Sequence, residues 1–123
     1  MARTYDNITI SNSSVGLINT GNLARIDAAI TMSKGTDGEE FGARLKDLTE
    51  AILADTQTSK ELKQQLIEVA QAISDQAIGN KRPSAIVVTT LFEQLKELAG
   101  NATMIAGAVE KLHEAWTYLQ STL

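Results

Sequence analysis

The histidine at position 113 is the side chain best suited to acid–base chemistry near neutral pH, and it is the only histidine in the chain. Glu110 stands three residues before it and Glu114 directly after it. General acid–base catalysis also requires an oriented partner at a cleft, and no nucleophile motif accompanies this residue. The pattern therefore favours a surface or boundary histidine over a catalytic one.

Metal chemistry has few possible ligands in this sequence. The chain contains no cysteine, which excludes disulfides and thiolate sites, and one histidine needs carboxylates or a second subunit to hold a transition metal. The acidic stretch TDGEE at 36–40 lacks the alternating ligands of a calcium loop and fits helix capping instead. We expect no metal, no cofactor and no enzymatic activity.

Two short segments could bind an anion. GLINTG at 16–21 has the two glycines of the phosphate-binding pattern G-x-x-x-x-G-K-[ST], but Asn22 and Leu23 stand where Lys and Ser or Thr are required. NKRP at 80–83 is typical of a solvated loop between helices. Residues 35–79 carry nine acidic and four basic side chains, which disfavours contact with phosphate backbones. We expect neither a nucleotide site nor a nucleic-acid partner.

Four stretches have apolar residues every three or four positions, the period of an amphipathic helix. Their spacing and short connections suit an antiparallel bundle. The predicted stripes are Phe41, Leu45, Leu48 and Ile52; Leu62, Leu66, Val69, Ile73 and Ala77; Val88, Leu91, Leu95 and Leu98; and Ile105, Ala108, Leu112, Trp116 and Leu119.

Start and stop signals delimit these four helices. The first is expected at about 38–55, and capping boxes precede it and the second helix. Gly79, Pro83, Gly100 and Asn101 are expected to mark the later boundaries. The capping pairs are Thr36 with Glu39, Asp37 with Glu40, and Thr58 with Glu61.

Residues 23–33 fit two different periods. Leu23, Ile26 and Ile30 would share one face of a short helix, whereas the alternation from residue 24 to residue 32 would suit a strand. The alanine content, with Asn22 as a cap and Gly35 past the end, favours a helix. The strand stays open as an alternative.

The stretch NITISNSSVGLINTGN at 7–22 predicts a β-hairpin. A two-residue loop at 12–13 brings two apolar cross-strand pairs onto one face. A lone hairpin is marginal in water and has open edges, which pairing between subunits would satisfy. A polar arm docked on its own bundle is the alternative. The pairs are Ile10 with Val15 and Ile8 with Leu17, and together with Ile18 these residues form the predicted oligomer interface.

Two apolar regions raise the question of a membrane. SAIVVTTLF at 84–92 is apolar on more than one face, and LAGNATMIAGAVEKL at 98–112 is rich in small residues. Charged residues interrupt the wider pattern at Glu93, Lys96, Glu97, Glu110 and Lys111, which favours burial in the core or in a subunit interface over membrane insertion. With no signal-peptide pattern and no 18-residue apolar run, we expect a cytoplasmic protein.

The stretch ISNSSVGLINTG, followed by FGARLKDLTEAI, resembles segments that precede signalling or effector modules in bacterial conflict systems. The resemblance lies in the general composition of the two stretches, includes no diagnostic motif and implies no functional residues. It favours an adaptor or accessory protein of bacterial type.

Together these observations predict a mainly α single domain. It would be an antiparallel bundle of about four main helices plus a short one at 23–123, preceded by a β-hairpin arm at 1–22. The expected function is a non-enzymatic, homo-oligomeric interaction or assembly module, with itself as first partner and another protein as second. The alternatives are a small-molecule-binding accessory protein and a membrane-active helical effector.

Overall fold

The computed structural model describes residues 7–8, 20–78 and 84–122. Within these ranges the chain forms five helices and no strand, which confirms the prediction of a mainly helical fold. Residues 23–33 are helical. Of the stretch 7–22 that is predicted to form a hairpin, residues 20–22 belong instead to the first helix, so Asn22 lies inside that helix and is not its cap. Residues 9–19 of the predicted hairpin lie outside the described residues. The helices are α1 (Thr20–Ser33), α2 (Glu39–Ala54), α3 (Lys60–Ala77), α4 (Ala85–Ala99) and α5 (Thr103–Thr122).

Four of the helices form a ring in which α2 packs on α3, α3 on α4, α4 on α5, and α5 on α2, while α1 packs on α2 and α3. Phe41 near the start of α2 meets Trp116 near the end of α5, edge to face, with ring centroids 6.3 Å apart. Lys63 near the start of α3 reaches Leu53 at the end of α2. Helix α2 therefore runs antiparallel to both of its ring neighbours, α3 and α5.

The core lies inside this ring and beneath α1. All four predicted stripe residues of α2 are at most 1 % exposed, as are Leu23 and Ile26 of α1. In α4 the predicted stripe is partly wrong, because Phe92 and Ala99 are buried with Val88 and Leu95, while Leu91 and Leu98 are only half-buried. Since α4 is apolar on two adjoining faces, its periodicity alone could not decide which face turns inward.

The predicted capping boxes before α2 are wrong. Gly38 occupies the N-cap position, and no side chain there accepts a hydrogen bond from the first turn. Thr36 and Glu39 instead tie the preceding turn, because the Thr36 hydroxyl accepts the Gly38 N–H at 3.0 Å and the Glu39 carboxylate accepts the Gly35 N–H at 3.4 Å. The side chains of Thr36 and Glu39 therefore accept hydrogen bonds from the turn before α2 and do not cap the helix as predicted.

The capping box at Thr58 and Glu61 is wrong by one residue. Ser59 is the N-cap of α3 and accepts the Leu62 N–H at 3.2 Å. The Thr58 N–H donates to Asp55, whose carboxylate closes the turn after α2.

The later boundaries are predicted with mixed success. Gly100 ends α4 with φ of 52°, as the sequence predicts. Ser84 caps α4, and Asn101 is not the cap of α5, which begins at Thr103 after Ala102. Gly79 and Pro83 lie outside the described residues.

Two features position neighbouring helices: a side-chain hydrogen bond from α3 to the end of α2, and a glycine in α2 that faces α1. Lys63, only 6 % exposed, donates from Nζ to the Leu53 carbonyl at 3.3 Å and so satisfies an acceptor in the last turn of α2. Gly42 lets α1 approach α2 closely, because a Cβ at this position would collide with the Ser33 hydroxyl. Among the described residues, no buried side-chain nitrogen or oxygen lacks a hydrogen-bond partner.

Candidate interaction surface

His113 is a packing residue between α4 and α5 in this structure. Its ring stacks on Phe92 with centroids 4.7 Å apart, and its Nδ1 lies 3.4 Å from Lys96 Nζ. Burial, and secondarily the positive charge of Lys96, lower the pKa of His113 below 6.5. Burial and the neighbouring cation both disfavour protonation of this imidazole.

Carboxylate and imidazole groups are dispersed over the described part of the chain. Within residues 7–8, 20–78 and 84–122, no three His, Asp or Glu side chains come together in a way that could hold a metal ion.

The N-terminal segment is fastened to α1 at one point. The Asn7 backbone N–H donates to Asp27 Oδ1 at 2.8 Å, and its side-chain amide donates to the Asp27 carbonyl at 3.1 Å and to Thr31 Oγ1 at 2.8 Å. The next residue, Ile8, is 4 % exposed and belongs to the core. Three hydrogen bonds and one buried side chain thus give Asn7 and Ile8 a defined position on the bundle.

The predicted oligomer interface is only partly described. Ile8 packs inside its own subunit, as the alternative of an arm docked on its own bundle requires at this residue. Ile10, Val15, Leu17 and Ile18 lie outside the described residues, so the interface through them stays a prediction. A test of that interface has to use these four residues, because changing Ile8 would disturb the core.

A groove of about 560 Å³ runs between α3 and α4 and opens to solvent. Each helix contributes residues over eight positions, 65–72 on α3 and 91–98 on α4, which corresponds to roughly 10 Å of helix axis. The half-buried floor is apolar, and the exposed rim is polar. The floor consists of Val69, Ala72, Leu91 and Leu98, and the rim of Gln65, Glu68, Gln94 and Glu97.

The charges on the rim of this groove are all negative. Glu68 and Glu97 contribute one carboxylate from each helix, and the groove lining includes no Lys, Arg or His among the described residues. The nearby basic side chains are directed elsewhere, since Lys63 reaches the end of α2 and Lys96 reaches His113 on α5. The groove is therefore an apolar trough with carboxylates on both sides.

Other apolar surface is more scattered. A smaller groove of about 210 Å³ between α1 and α3 includes Met32, which is 61 % exposed. Ile86 and Met104 are about 80 % exposed, near the N-termini of α4 and α5. The described helices include none with the length and apolarity needed to cross a membrane.

The sequence pattern identified the residues of the α3–α4 groove but assigned them to the wrong environment. Val69, Leu91 and Leu98 were expected in the core stripes, yet each is only half-buried. The second apolar face of SAIVVTTLF indicated surplus apolar surface on α4, since one helix cannot bury two faces in a small bundle, but it did not indicate where the groove would lie.

No protein-family model, curated protein or solved structure matches the chain.

Proposed function

We propose that this protein is a non-enzymatic interaction module that assembles into a homo-oligomer through its N-terminal stretch. The observation that supports the proposal is the attachment of Asn7 to α1 together with the burial of Ile8, next to the four other predicted interface residues. A cytoplasmic setting and a bacterial source remain predictions from the sequence.

The attachment matters because an interface segment loses conformational freedom when it binds. A segment that starts from a position held by three hydrogen bonds and a buried Ile8 has less freedom to lose than a free arm. The four apolar residues that follow would then meet the same residues of a second subunit from a fixed starting point. Such self-complementary contacts are typical of symmetric oligomers.

The small-molecule alternative has less support from the described grooves. Ligand pockets bury most of a small molecule's surface, whereas the α3–α4 groove is a trough open to solvent. An elongated macromolecular segment matches that shape better.

The test is the solution mass of the full chain, measured by light scattering after size exclusion. We expect a defined oligomer for the wild type and a monomer for the double variant Ile10→Asp with Leu17→Asp, because two carboxylates would be buried in the subunit contact. Far-ultraviolet circular dichroism should show unchanged helix content in the double variant, since both positions lie outside the described helices.

Met104→Asp is the matched control, because it places the same charge at an exposed apolar residue of α5. Its mass should equal that of the wild type. A wild-type chain that is monomeric at high concentration, or a double variant that keeps the oligomeric mass, would overturn the proposal.

A further inference from the structure

We propose that the groove between α3 and α4 is a docking site for one amphipathic helix of another protein, with an apolar stripe flanked by Lys or Arg. This surface is distinct from the N-terminal stretch, so the inference goes beyond the proposed self-assembly.

The shape of the occupant follows from how the chain fills the neighbouring groove. α1 packs against both α2 and α3, and it inserts Leu23, Ile26 and Ile30 at the spacing i, i+3, i+7. The groove on the other side of α3 is lined over the same number of helical positions, 65–72 and 91–98, and no described helix packs over it. A helix presenting an apolar stripe over two turns therefore fits the α3–α4 groove as α1 fits the α2–α3 groove.

The charge of the occupant follows from the rim. Glu68 stands on one side of the floor and Glu97 on the other, and the groove lining has no basic residue among those described. Lys or Arg on both flanks of a bound helix would face these carboxylates, whereas Asp or Glu would face like charge. Complementary charge of this kind selects partners and speeds association.

The same rim argues against a second copy of this groove as the occupant. A symmetric contact of two α3–α4 faces would bring Glu68 and Glu97 of both copies together, since such a contact pairs each patch with itself. Like charges brought together at an interface oppose association. The partner is therefore a different, basic surface.

The probe is a designed, fluorescein-labelled peptide of roughly 16 residues with Leu at i, i+3 and i+7 and Lys on both flanks of the stripe. Two control peptides have Glu in place of Lys, or the same composition in scrambled order. Binding to the full-length protein is followed by fluorescence anisotropy, and the contact surface is mapped by amide chemical shifts. We expect binding of the Lys peptide alone, with shifts concentrated in residues 65–72 and 91–98.

The rim is tested with the double variant Glu68→Gln and Glu97→Gln against a matched control, Glu110→Gln and Glu114→Gln. Both doubles remove two exposed carboxylates, but the second pair lies on α5, away from the groove. We expect the first double variant to weaken binding of the Lys peptide about fivefold, as for two partly exposed ion pairs, and the control to change it little.

Several results would overturn the inference. They are absence of binding, equal binding of the scrambled or Glu peptide, equal weakening by the two double variants, or shifts that map away from the groove. Loss of oligomeric mass in the groove double variant would also overturn it, because the occupant would then be a second copy. The Ile10 and Leu17 variant separates the two proposals, since it should lose self-assembly and still bind the Lys peptide.

Discussion

The groove between α2 and α3 is covered by another helix of the chain, whereas the groove between α3 and α4 is open to solvent. Between α2 and α3 the chain lays its own helix α1, whose Leu23 and Ile26 are fully buried. Between α3 and α4 the floor residues Val69 and Leu91 are only half-buried, and no described helix packs over them. All four side chains are aliphatic, so coverage by another helix, not residue type, separates the buried groove from the open one.

The largest expected effect comes from breaking the filled groove. Ile26→Ala should lower the free energy of unfolding by about 2–5 kcal/mol, because it removes a fully buried side chain and leaves a cavity beneath α1. Leu91→Ala in the open groove should cost only about 1 kcal/mol or less, since solvent already reaches this side chain. Urea unfolding monitored by Trp116 fluorescence measures both variants, and equal losses would contradict the distinction between the grooves.

An intermediate effect should come from the close approach of α1 to α2. Gly42→Ala should destabilise the protein by about 1–3 kcal/mol, because the new methyl group collides with Ser33, whose hydroxyl is held by the Ile30 carbonyl. The matched control is Gly107→Ala in α5, where an added Cβ meets nothing within 4 Å. There alanine should stabilise the helix by about 0.5–1 kcal/mol.

Opposite signs for these two glycine variants, measured as shifts in thermal midpoint, would show that α1 is seated tightly on α2. A stabilising Gly42→Ala would instead indicate that α1 is loosely docked, which would make the α2–α3 groove more like the open one.

The smallest expected effect is on the pH dependence of stability, through His113 where α5 packs on α4. The folded-state pKa of His113 is lowered, so as pH falls below 6.5 the unfolded chain binds the proton first. The stability that the neutral ring contributes is therefore present above that pH and lost as pH falls toward the folded-state pKa. His113→Gln should reduce the loss of urea midpoint between about pH 7.5 and about pH 5. An identical loss in both proteins would contradict this assignment.

The sequence predicts the buried face of a helix well only where the apolar residues lie on one side of that helix. In α2 polar and charged residues flank Phe41, Leu45 and Leu48 closely, so only one face could be buried and the predicted stripe is confirmed. In α4 both Leu91 and Phe92 fit the helical period of apolar residues. Periodicity therefore cannot predict which of these two adjacent residues is buried. The groove could be suspected from that excess of apolar surface, but its position could not.

Helix boundaries show the same limit at shorter range. Several Ser, Thr and Asp residues lie within reach of each helix start, and every one of them can accept a backbone N–H. Ser59 rather than Thr58 caps α3 because the turn formed by Asp55 already uses the Thr58 N–H. Such competition depends on the path of the loop, which propensities do not contain.

The sequence by itself determined that α2 to α5 are helical, where these helices lie to within a few residues, and that α2 and α5 each present one strongly apolar face. These properties follow from local periodicity and composition, which act between neighbours in the chain. Only the tertiary structure decided that α1 covers the α2–α3 groove, that Ile8 joins the core, and that Val69, Leu91 and Leu98 are only half-buried. Whether a helix face is buried depends on which other helix packs over it, and such contacts join residues that are distant in the sequence.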